Sequence, residues 1–365
     1  MGASDTRVFN FAAGPAVLPE PVLLQAQRDL FCYPGAGASM LEISHRSKAY
    51  DEVIEAAAAN IATLLGLPEG YHVVFLQGGA SLQFSMVPMN LLGGGRADYV
   101  VTGSWAKKAL AEARREGEAN IAWDGKDGNY SRMPASHELR LTEGAAYVHI
   151  TANETIQGIE FPAEPDTGDV PLVCDASSDF LSRPLDVARY GLIYAGAQKN
   201  VGPAGVTIAV IREDMLERIP DGLPTMLDYR TYTANKSLYN TPPAFAIYIV
   251  RLVTDWLLNE IGGLAAMQER NREKAALLYQ TIDSSDGFYR GHAAPDSRSM
   301  MNVSWRLPSE ELEKQFVAEA RDAGLYELKG HRSVGGIRAS IYNAMPREGV
   351  VKLVEFMQAF RATHA

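Results

Sequence analysis

Short apolar segments alternate with helical or turn segments through the first two thirds of the chain. Six of these segments are rich in β-branched and aromatic residues; they lie at residues 71–76, 98–102, 145–150, 170–174, 192–195 and 206–211. Strands that alternate with helices are typical of a mostly parallel sheet covered by helices. The pattern therefore predicts an α/β fold.

One covering helix can be predicted from the spacing of its apolar residues. Apolar side chains recur at positions 53, 54, 57, 58, 61, 64 and 65, and Gly66 and Pro68 then end the pattern. This is the spacing of one helix face, followed by residues that stop a helix. We expect that face to pack on the sheet.

The pattern changes in the C-terminal third. A long helical region begins near Pro242 and passes Trp256, and Gly262 and Gly263 interrupt it before another helix from Leu264. A strand near 300–305, a helix opened by Ser309, a strand near 337–342 and a final helix follow. We predict a large domain over 18–261 and a smaller α+β domain over 262–365, with an N-terminal segment, 1–17, that packs with the small domain.

Charge and cysteine content exclude several classes of function. The chain has 34 Lys and Arg against 44 Asp and Glu, a net charge of −10 that disfavours nucleic acid as a partner. Its two cysteines cannot form a disulfide framework, and its seven histidines lack metal-ligand spacing, so we expect no metal site and a cytoplasmic location. No apolar run approaches the roughly 20 residues that span a bilayer.

Lys199 is the most informative single residue. It follows an apolar strand and precedes a turn rich in glycine and proline, in the segment LIYAGAQKNVGPAG at 192–205. Burial beside small apolar residues lowers the pKa of a lysine and frees its amine to act as a Schiff-base nucleophile. A solvated turn lysine is the alternative.

Asp175 ends the preceding predicted strand. The carboxyl edge of parallel strands is where open α/β sheets bind their ligands, so Asp175 and Lys199 could face one crevice. A Schiff-base lysine with an aspartate that pairs with a protonated ring nitrogen is the protein side of pyridoxal-phosphate chemistry. A helix cap or a loop salt bridge is the alternative for Asp175.

Two upstream features could complete a cofactor site. The segment QGGASLQF at 77–84 follows a strand and opens a helix, so backbone N–H groups and the Ser81 hydroxyl could bind a phosphate. Trp105 follows the next strand and could stack on the cofactor ring. A bare tight turn and core packing are the respective alternatives.

Basic residues cluster at two places in this acidic chain. His331, Arg332 and Arg338 lie in the segment KGHRSVGGIR at 329–338, and His45 and Arg46 lie in a second basic segment. The planar guanidinium of Arg338 suits bidentate recognition of a carboxylate. Taken alone, either cluster could instead be a solvated surface.

Together these motifs resemble the phosphoserine aminotransferases, a family of fold-type-I pyridoxal-phosphate enzymes within the class-V aminotransferases. The resemblance covers nearly the whole chain. It is carried by FNFAAGPA at 9–16, SHR at 44–46, NETIQG at 153–158, SSDFLSRP at 177–184, YAGAQKNVGPAG at 194–205, YNTPP at 239–243 and GHRSVGGIRASIYNA at 330–344.

The resemblance implies a fold and a set of site residues. The fold would be that of a fold-type-I transferase, with a mostly parallel seven-stranded sheet in the large domain. It implies Lys199 as the Schiff-base lysine and Asp175 as the partner of the pyridinium nitrogen. It implies the remaining contacts as follows: for the cofactor, Ala80, Ser81, Trp105, Thr155 and Gln198, with Asn240 and Thr241 from the second subunit of a homodimer; for the substrate, His45, Arg46, His331, Arg332 and Arg338.

The reaction implied by the resemblance is a reversible ping-pong amino transfer. L-Glutamate and 3-phosphohydroxypyruvate would give 2-oxoglutarate and O-phospho-L-serine, in serine biosynthesis. A phosphorylated hydroxythreonine of pyridoxine biosynthesis is a further possible substrate. The alternatives are another class-V aminotransferase, of the alanine or serine–glyoxylate type, and a non-catalytic phosphometabolite-binding protein, which would have no need for Lys199 and Asp175.

Overall fold

A computed structural model describes residues 7–365 of the chain. The strands are β1 (Phe9–Asn10), β2 (Tyr71–Leu76), β3 (Arg96–Val101), β4 (Glu118–Asp124), β5 (Val148–Thr151), β6 (Asn153–Glu154), β7 (Ile159–Glu160), β8 (Leu172–Asp175), β9 (Tyr190–Gly196), β10 (Thr207–Arg212), β11 (Arg290–Gly291), β12 (Asn302–Arg306), β13 (Leu325–Tyr326) and β14 (Ile337–Ser340).

The helices lie between these strands and in the C-terminal third. They are α1 (Glu20–Phe31), α2 (Lys48–Leu65), α3 (Gly79–Leu91), α4 (Ser104–Glu116), α5 (Glu213–Leu216), α6 (Tyr229–Ala234), α7 (Ala244–Trp256), α8 (Leu264–Asp283), α9 (Glu310–Asp322) and α10 (Arg347–His364). A π-helical turn, Leu257–Ile261, extends α7, and 3₁₀ turns lie at Gly125–Gly128, Ser136–Glu138, Val187–Arg189, Thr225–Leu227 and Pro295–Ser297.

A seven-stranded sheet forms the centre of the fold, in the order β2-β10-β9-β8-β5-β3-β4. Strand β10 is antiparallel to both of its neighbours, and the pairs from β9 to β4 are parallel. This confirms the predicted α/β fold with a mostly parallel sheet. The sequence pattern does not predict β4, an edge strand whose polar residues interrupt its apolar ones.

Successive side chains of the central strands point to opposite faces of the sheet, and each face packs in its own hydrophobic core. In β8, Cys174 faces the core formed with α2 and α7, and Val173 faces the core formed with α3 and α4. Helix α2 ends before Gly66 as predicted, with that glycine in the left-handed region at φ 61°, and its apolar face packs in the core beside the sheet. Ser47, which the pattern does not predict as a cap, accepts from the N–H of Tyr50 at the helix start. The sheet is thereby covered on both sides.

A separate core lies in the C-terminal third. It is built on the sheet β11-β12-β14 and on α8, α9 and α10, and it includes Trp305, Phe316 and Phe11. Strand β1 pairs in parallel with β13, so the segment from residue 7 contacts this unit. Residues 1–6 of the proposed N-terminal segment lie outside the described residues. The proposed boundary at 262 coincides with a left-handed Gly262 at φ 89°, between the π turn and α8.

Two further findings concern the described residues as a whole. None of the helices within 7–365 is long and apolar enough to cross a membrane. In the same part of the chain, no three His, Cys, Asp or Glu side chains gather in a way that could hold a metal ion.

Candidate active site

Five parallel strands bring their carboxyl ends to one edge of the central sheet. β2 leads there into the turn before α3, β3 leads to Trp105, and β5 leads to Thr155. β8 ends at Asp175, and β9 leads to Lys199. The topology therefore gathers at one edge residues that are more than 100 positions apart in sequence, as it does for ligand sites of other open α/β sheets.

Lys199 lies partly buried at the centre of this edge. Its Nζ donates a hydrogen bond of 2.8 Å to Oγ1 of Thr155, which is itself buried. The same Nζ lies 5.2 Å from the centre of the Trp105 ring. The amine thus lies close to both the Thr155 hydroxyl group and the Trp105 ring.

Opposing effects set the protonation of Lys199. Burial lowers its pKa from the ordinary value, and the negative charges of Asp175 and Glu154 act against that change. The positive charge of Arg338 lowers the pKa further. A lysine with a lowered pKa offers a larger fraction of free amine at neutral pH, as a nucleophile or a general base requires.

Asp175 is buried at the last position of β8. Its Oδ1 accepts a hydrogen bond of 2.9 Å from the N–H of Ser177, which fixes the carboxyl group at the sheet edge. A carboxylate held beside a crevice in this way can accept a charged N–H from a ring cation.

The start of α3 presents free backbone donors. No side chain caps this 13-residue helix, so the first N–H groups, which include those of Ala80 and Ser81, have no partner inside the helix. Gly78 precedes them at φ 90°, and a Cβ atom there would lie 2.5 Å from Cδ2 of Leu82. Only glycine therefore allows the turn that leads into these free donors, which are of the kind that can bind a phosphate.

Trp105 and Gln198 are neighbours of Lys199, the first through its ring and the second along the chain. The Nε1 of Trp105 is buried and has no hydrogen-bond partner within residues 7–365. The backbone carbonyl of Gln198 accepts from the N–H of Ala16, and a Cβ atom at Gly14 would lie 3.4 Å from Cγ of Lys199. The N-terminal segment therefore borders the site, which the sequence reasoning did not anticipate from the FNFAAGPA motif.

A cationic cluster, formed by His331, Arg332 and Arg338, flanks the crevice. Arg338 lies half-buried in β14, and burial lowers the pKa of its guanidinium. Burial and the charges of Arg338, Arg332 and Lys108 lower the pKa of His331. No carboxylate within residues 7–365 forms a salt bridge with these three side chains, so the cluster is suited to an external anion.

Four predicted site residues are not brought to Lys199 by contacts within the described chain. His45 and Arg46 lie in the turn before α2, where the N–H of Arg46 bonds to Oγ of Ser44. Asn240 and Thr241 lie in the loop between α6 and α7, and the carbonyl of Thr241 accepts from the side chain of Gln77. None of the four forms a hydrogen bond or a salt bridge with Lys199 within residues 7–365.

Glu154 is a site residue that the sequence reasoning missed. Its carboxyl group is fully buried next to Thr155 and accepts hydrogen bonds from the backbone of α4. In the sequence, only its position in the NETIQG motif points to it, and from that motif the resemblance implies a role for Thr155 alone.

Comparison with known proteins identifies the family. The chain matches the aminotransferase class-V family over residues 8–353. The chain belongs to the class-V aminotransferase family. A phosphoserine aminotransferase of Geobacillus kaustophilus is 55% identical over 360 residues, which cover 98% of this chain and 99% of the relative.

Solved structures place this class-V aminotransferase among enzymes that use pyridoxal phosphate. The phosphoserine aminotransferase of Bacillus circulans subsp. alkalophilus is 53% identical, with a TM-score of 0.96, and the match covers 98% of this chain and 99% of that one. A pyridoxal-phosphate-bound phosphoserine aminotransferase from Trichomonas vaginalis is 41% identical, with a TM-score of 0.92, over 96% and 100% of the two chains. The protein is a pyridoxal-phosphate-dependent aminotransferase of fold type I.

The residues at the sheet edge fit this cofactor. The open start of α3 suits its phosphate, the partly buried Lys199 amine suits its aldehyde, and Asp175 suits its ring nitrogen.

Proposed function

We propose that this class-V aminotransferase transfers the amino group of L-glutamate to 3-phosphohydroxypyruvate, reversibly, giving O-phospho-L-serine and 2-oxoglutarate. The observation that carries the proposal is the cationic cluster beside Lys199, which has no carboxylate partner in the described chain. The names of the relatives at 53–55% identity support the same substrate class.

The cluster suits substrates with two anionic ends. In our proposal, the guanidinium of Arg338 binds the α-carboxylate common to every substrate, in a bidentate pair. His331 and Arg332, with His45 and Arg46, bind the distal phosphate or γ-carboxylate. Alanine and glyoxylate have no distal anion, so the alternative class-V activities would leave these charges unused.

Each remaining residue of the proposed site has a separate task. The N–H groups of Ala80 and Ser81 hold the cofactor phosphate, with the side chain of Gln198 beside them. Trp105 packs on the ring, Thr155 binds its hydroxyl group, and Asp175 keeps a proton on its nitrogen. When bound, pyridoxal phosphate supplies an electron sink for charge at the substrate α-carbon. Lys199 then moves the proton at that carbon as general base and acid.

The proposal includes a homodimer with shared sites. Asn240 and Thr241 would complete the cofactor phosphate site of the partner subunit. Phe31 exposes 90% of its surface and Leu41 exposes 64%, as expected of side chains that a second subunit covers. We also place the enzyme in the cytoplasm, where Cys32 and Cys174, both free thiols, would stay reduced.

A phosphorylated hydroxythreonine fits the same arrangement. It carries a distal phosphate and an α-carboxylate, so the cationic cluster would recognise it by the contacts proposed for O-phospho-L-serine. Activity in pyridoxine biosynthesis is therefore part of the proposal.

The visible absorbance spectrum of the purified holoenzyme tests both half-reactions. L-Glutamate should bleach the cofactor band, and 3-phosphohydroxypyruvate should then restore it. Restoration by glyoxylate but not by the phosphorylated keto acid would instead support the glyoxylate-type alternative. Lys199→Ala should show neither change, and Lys107→Ala, an exposed lysine over the Tyr130 ring, is the matched control.

A further inference from the structure

Glu154 joins the start of α4 to the lysine side of the crevice. Its Oε2 accepts a hydrogen bond of 3.2 Å from the N–H of Trp105, and its Oε1 accepts one of 3.0 Å from the N–H of Ala106. Both donors belong to the first turn of α4, where a helix lacks acceptors of its own. The carboxyl group therefore fixes the backbone of the residue whose indole ring faces Lys199.

Gly103 provides the space for this contact. A Cβ atom there would lie 2.5 Å from Cδ of Glu154 and 2.7 Å from Oε1 of Gln157. The backbone of Gly103 is extended, with φ 174°, so other residues could adopt its conformation. Glycine at this position leaves free the space that the carboxyl group of Glu154 occupies, so a side chain here would have to displace that group.

Charged groups from several elements act on one another around Glu154. Burial raises its pKa to about 7; the two helix N–H groups and Lys199 counteract that rise, whereas Asp175 adds to it. Glu154 in turn raises the pKa of Lys199, together with Asp175 and Asp179 and against Arg338. From α4 itself, the ammonium of Lys108 lies 4.2 Å from the centre of the Trp105 ring.

We propose that Glu154 is a positioning residue of the active site: it holds Trp105 in place, and its carboxyl group acts on the charge of Lys199, whose amine bonds to the adjacent residue Thr155. The inference rests on the proposed function, since it takes Trp105 and Lys199 as site residues. A carboxyl group that only stabilised the start of α4 would have no effect on the titration of Lys199. The two roles can therefore be separated by experiment.

The direct test is the titration of the Lys199 amine in the full-length protein from which the cofactor has been removed. Acetic anhydride would be applied between pH 6 and 11, and acetylation of Lys199 would be measured by peptide mass spectrometry, with Lys107 as internal reference. In Glu154→Gln we expect the Lys199 midpoint to fall by about one pH unit, because an adjacent negative charge is lost. An unchanged midpoint would overturn the electrostatic part of the proposal.

Glu160→Gln is the matched control. Glu160 is equally buried on the same β6–β7 hairpin, but it accepts from the N–H of Met300 and lies beside Arg183. Its replacement should leave the Lys199 midpoint unchanged. If both variants shift the midpoint equally, the effect is a general response of the hairpin and the proposal fails.

Gly103→Ala tests the positioning role with the carboxylate retained. The added methyl group should displace Glu154 from α4 and lower kcat for amino transfer by about tenfold, and the double variant with Glu154→Gln should be no worse than the more impaired single variant. Fully additive losses would show that the two residues act separately and would overturn the positioning role.

If Glu154→Gln does not fold, Glu154→Asp carries the titration test. Aspartate keeps the charge, so the Lys199 midpoint should stay near the wild-type value while kcat falls. A kcat equal to that of the wild type would refute positioning.

Failure of this inference is distinguishable from failure of the proposed function. Acetylation of Lys199 needs no substrate, whereas the proposed function requires the wild-type enzyme to react with 3-phosphohydroxypyruvate. If the wild-type enzyme does not react with that keto acid, the substrate assignment is refuted. The Lys199 titration remains a separate result.

Discussion

The amine of Lys199 donates a hydrogen bond of 2.8 Å to the hydroxyl oxygen of Thr155, a residue 44 positions earlier in the chain. The bond crosses the sheet edge from the turn after β9 to the β6–β7 hairpin, and it orients the Nζ atom toward the crevice beside Trp105. In the proposed reaction the amine of Lys199 must detach from the cofactor and later bond to it again. A defined position for the free amine therefore affects every turnover.

Thr155→Val tests the hydroxyl group of Thr155, which accepts from Lys199 in this structure and which we propose to bind the hydroxyl group of the cofactor ring. The variant keeps the shape of the side chain and removes the acceptor, and such a hydrogen bond contributes about 0.5–1.5 kcal/mol. We expect kcat/KM for L-glutamate to fall by about 3- to 10-fold, measured by steady-state kinetics. Thr155→Ser, which retains the hydroxyl group, should remain within about twofold of wild type. Equal losses in the two variants would contradict a role for the hydroxyl oxygen.

Asp175→Asn separates charge from structure at the end of β8. Asparagine can still accept the N–H of Ser177 through its side-chain oxygen, so the unfolding midpoint in urea should change little. Without the negative charge the proposed ring proton is not stabilised, and kcat should fall by at least about 100-fold. A variant with normal kcat would show that Asp175 does not act on the cofactor.

Arg332 and Arg338 should differ in the substrates that they affect. Each charged hydrogen bond contributes about 1.5–3 kcal/mol, which corresponds to about 10- to 150-fold in affinity. Arg338→Gln should weaken the binding of all amino-acid and keto-acid substrates. Arg332→Gln should weaken the binding of O-phospho-L-serine most. Arg115→Gln, at an exposed position near the end of α4, is the control. Equal loss for phosphorylated and unphosphorylated substrates in Arg332→Gln would count against the assignment.

The sequence could place Asp175 and Lys199 together because both follow apolar strands that proved to be neighbours, β8 and β9. Consecutive strands of this kind share an edge, so order along the chain was sufficient. The QGGASLQF segment could be recognised as a turn from a strand into a helix, but the local pattern alone did not separate a phosphate site from a bare tight turn.

Glu154 could not be recognised in that way. Its contacts with Trp105 and Ala106 join residues 48–49 positions apart and depend on the pairing of β3 with β5, which no periodicity reveals. The approach of Gly14 to Lys199 spans still more of the chain and depends on the pairing of β1 with β13. Contacts of this kind follow from the packed structure and have no local signal.

His149 predicts a loss of stability at acidic pH. It is buried in β5, where Nε2 bonds to the hydroxyl group of Tyr194, and burial lowers its pKa to about 3. Well above pH 6.5 neither the folded nor the unfolded state binds a proton at this residue. As the pH falls from 6.5 toward 3, only the unfolded state takes up the proton, and the free energy of unfolding drops by about 1.4 kcal/mol per pH unit.

His149→Gln isolates this effect, because glutamine can bond to Tyr194 and does not titrate. Urea unfolding measures the free energy of unfolding at pH 7.5 and at pH 5.0. Between these values the wild-type protein should lose about 2 kcal/mol more of this free energy than the variant does. The same loss in both proteins would mean that other groups cause the acid sensitivity.

Two neighbouring glycines test whether the turn before α3 shapes the phosphate cradle. Gly78 and Gly79 both have positive φ, 90° and 67°, so alanine at either position incurs a backbone cost of about 1–2 kcal/mol. A Cβ atom at Gly78 would also lie within 2.7 Å of two Leu82 atoms, whereas at Gly79 it would meet no atom within 4 Å. Gly78→Ala must therefore displace the first turn of α3, and Gly79→Ala need not. We expect Gly78→Ala to reduce the affinity for pyridoxal phosphate at least about tenfold more than Gly79→Ala does, as measured by titration of the apoenzyme. Equal affinities in the two variants would show that the position of this turn does not control phosphate binding.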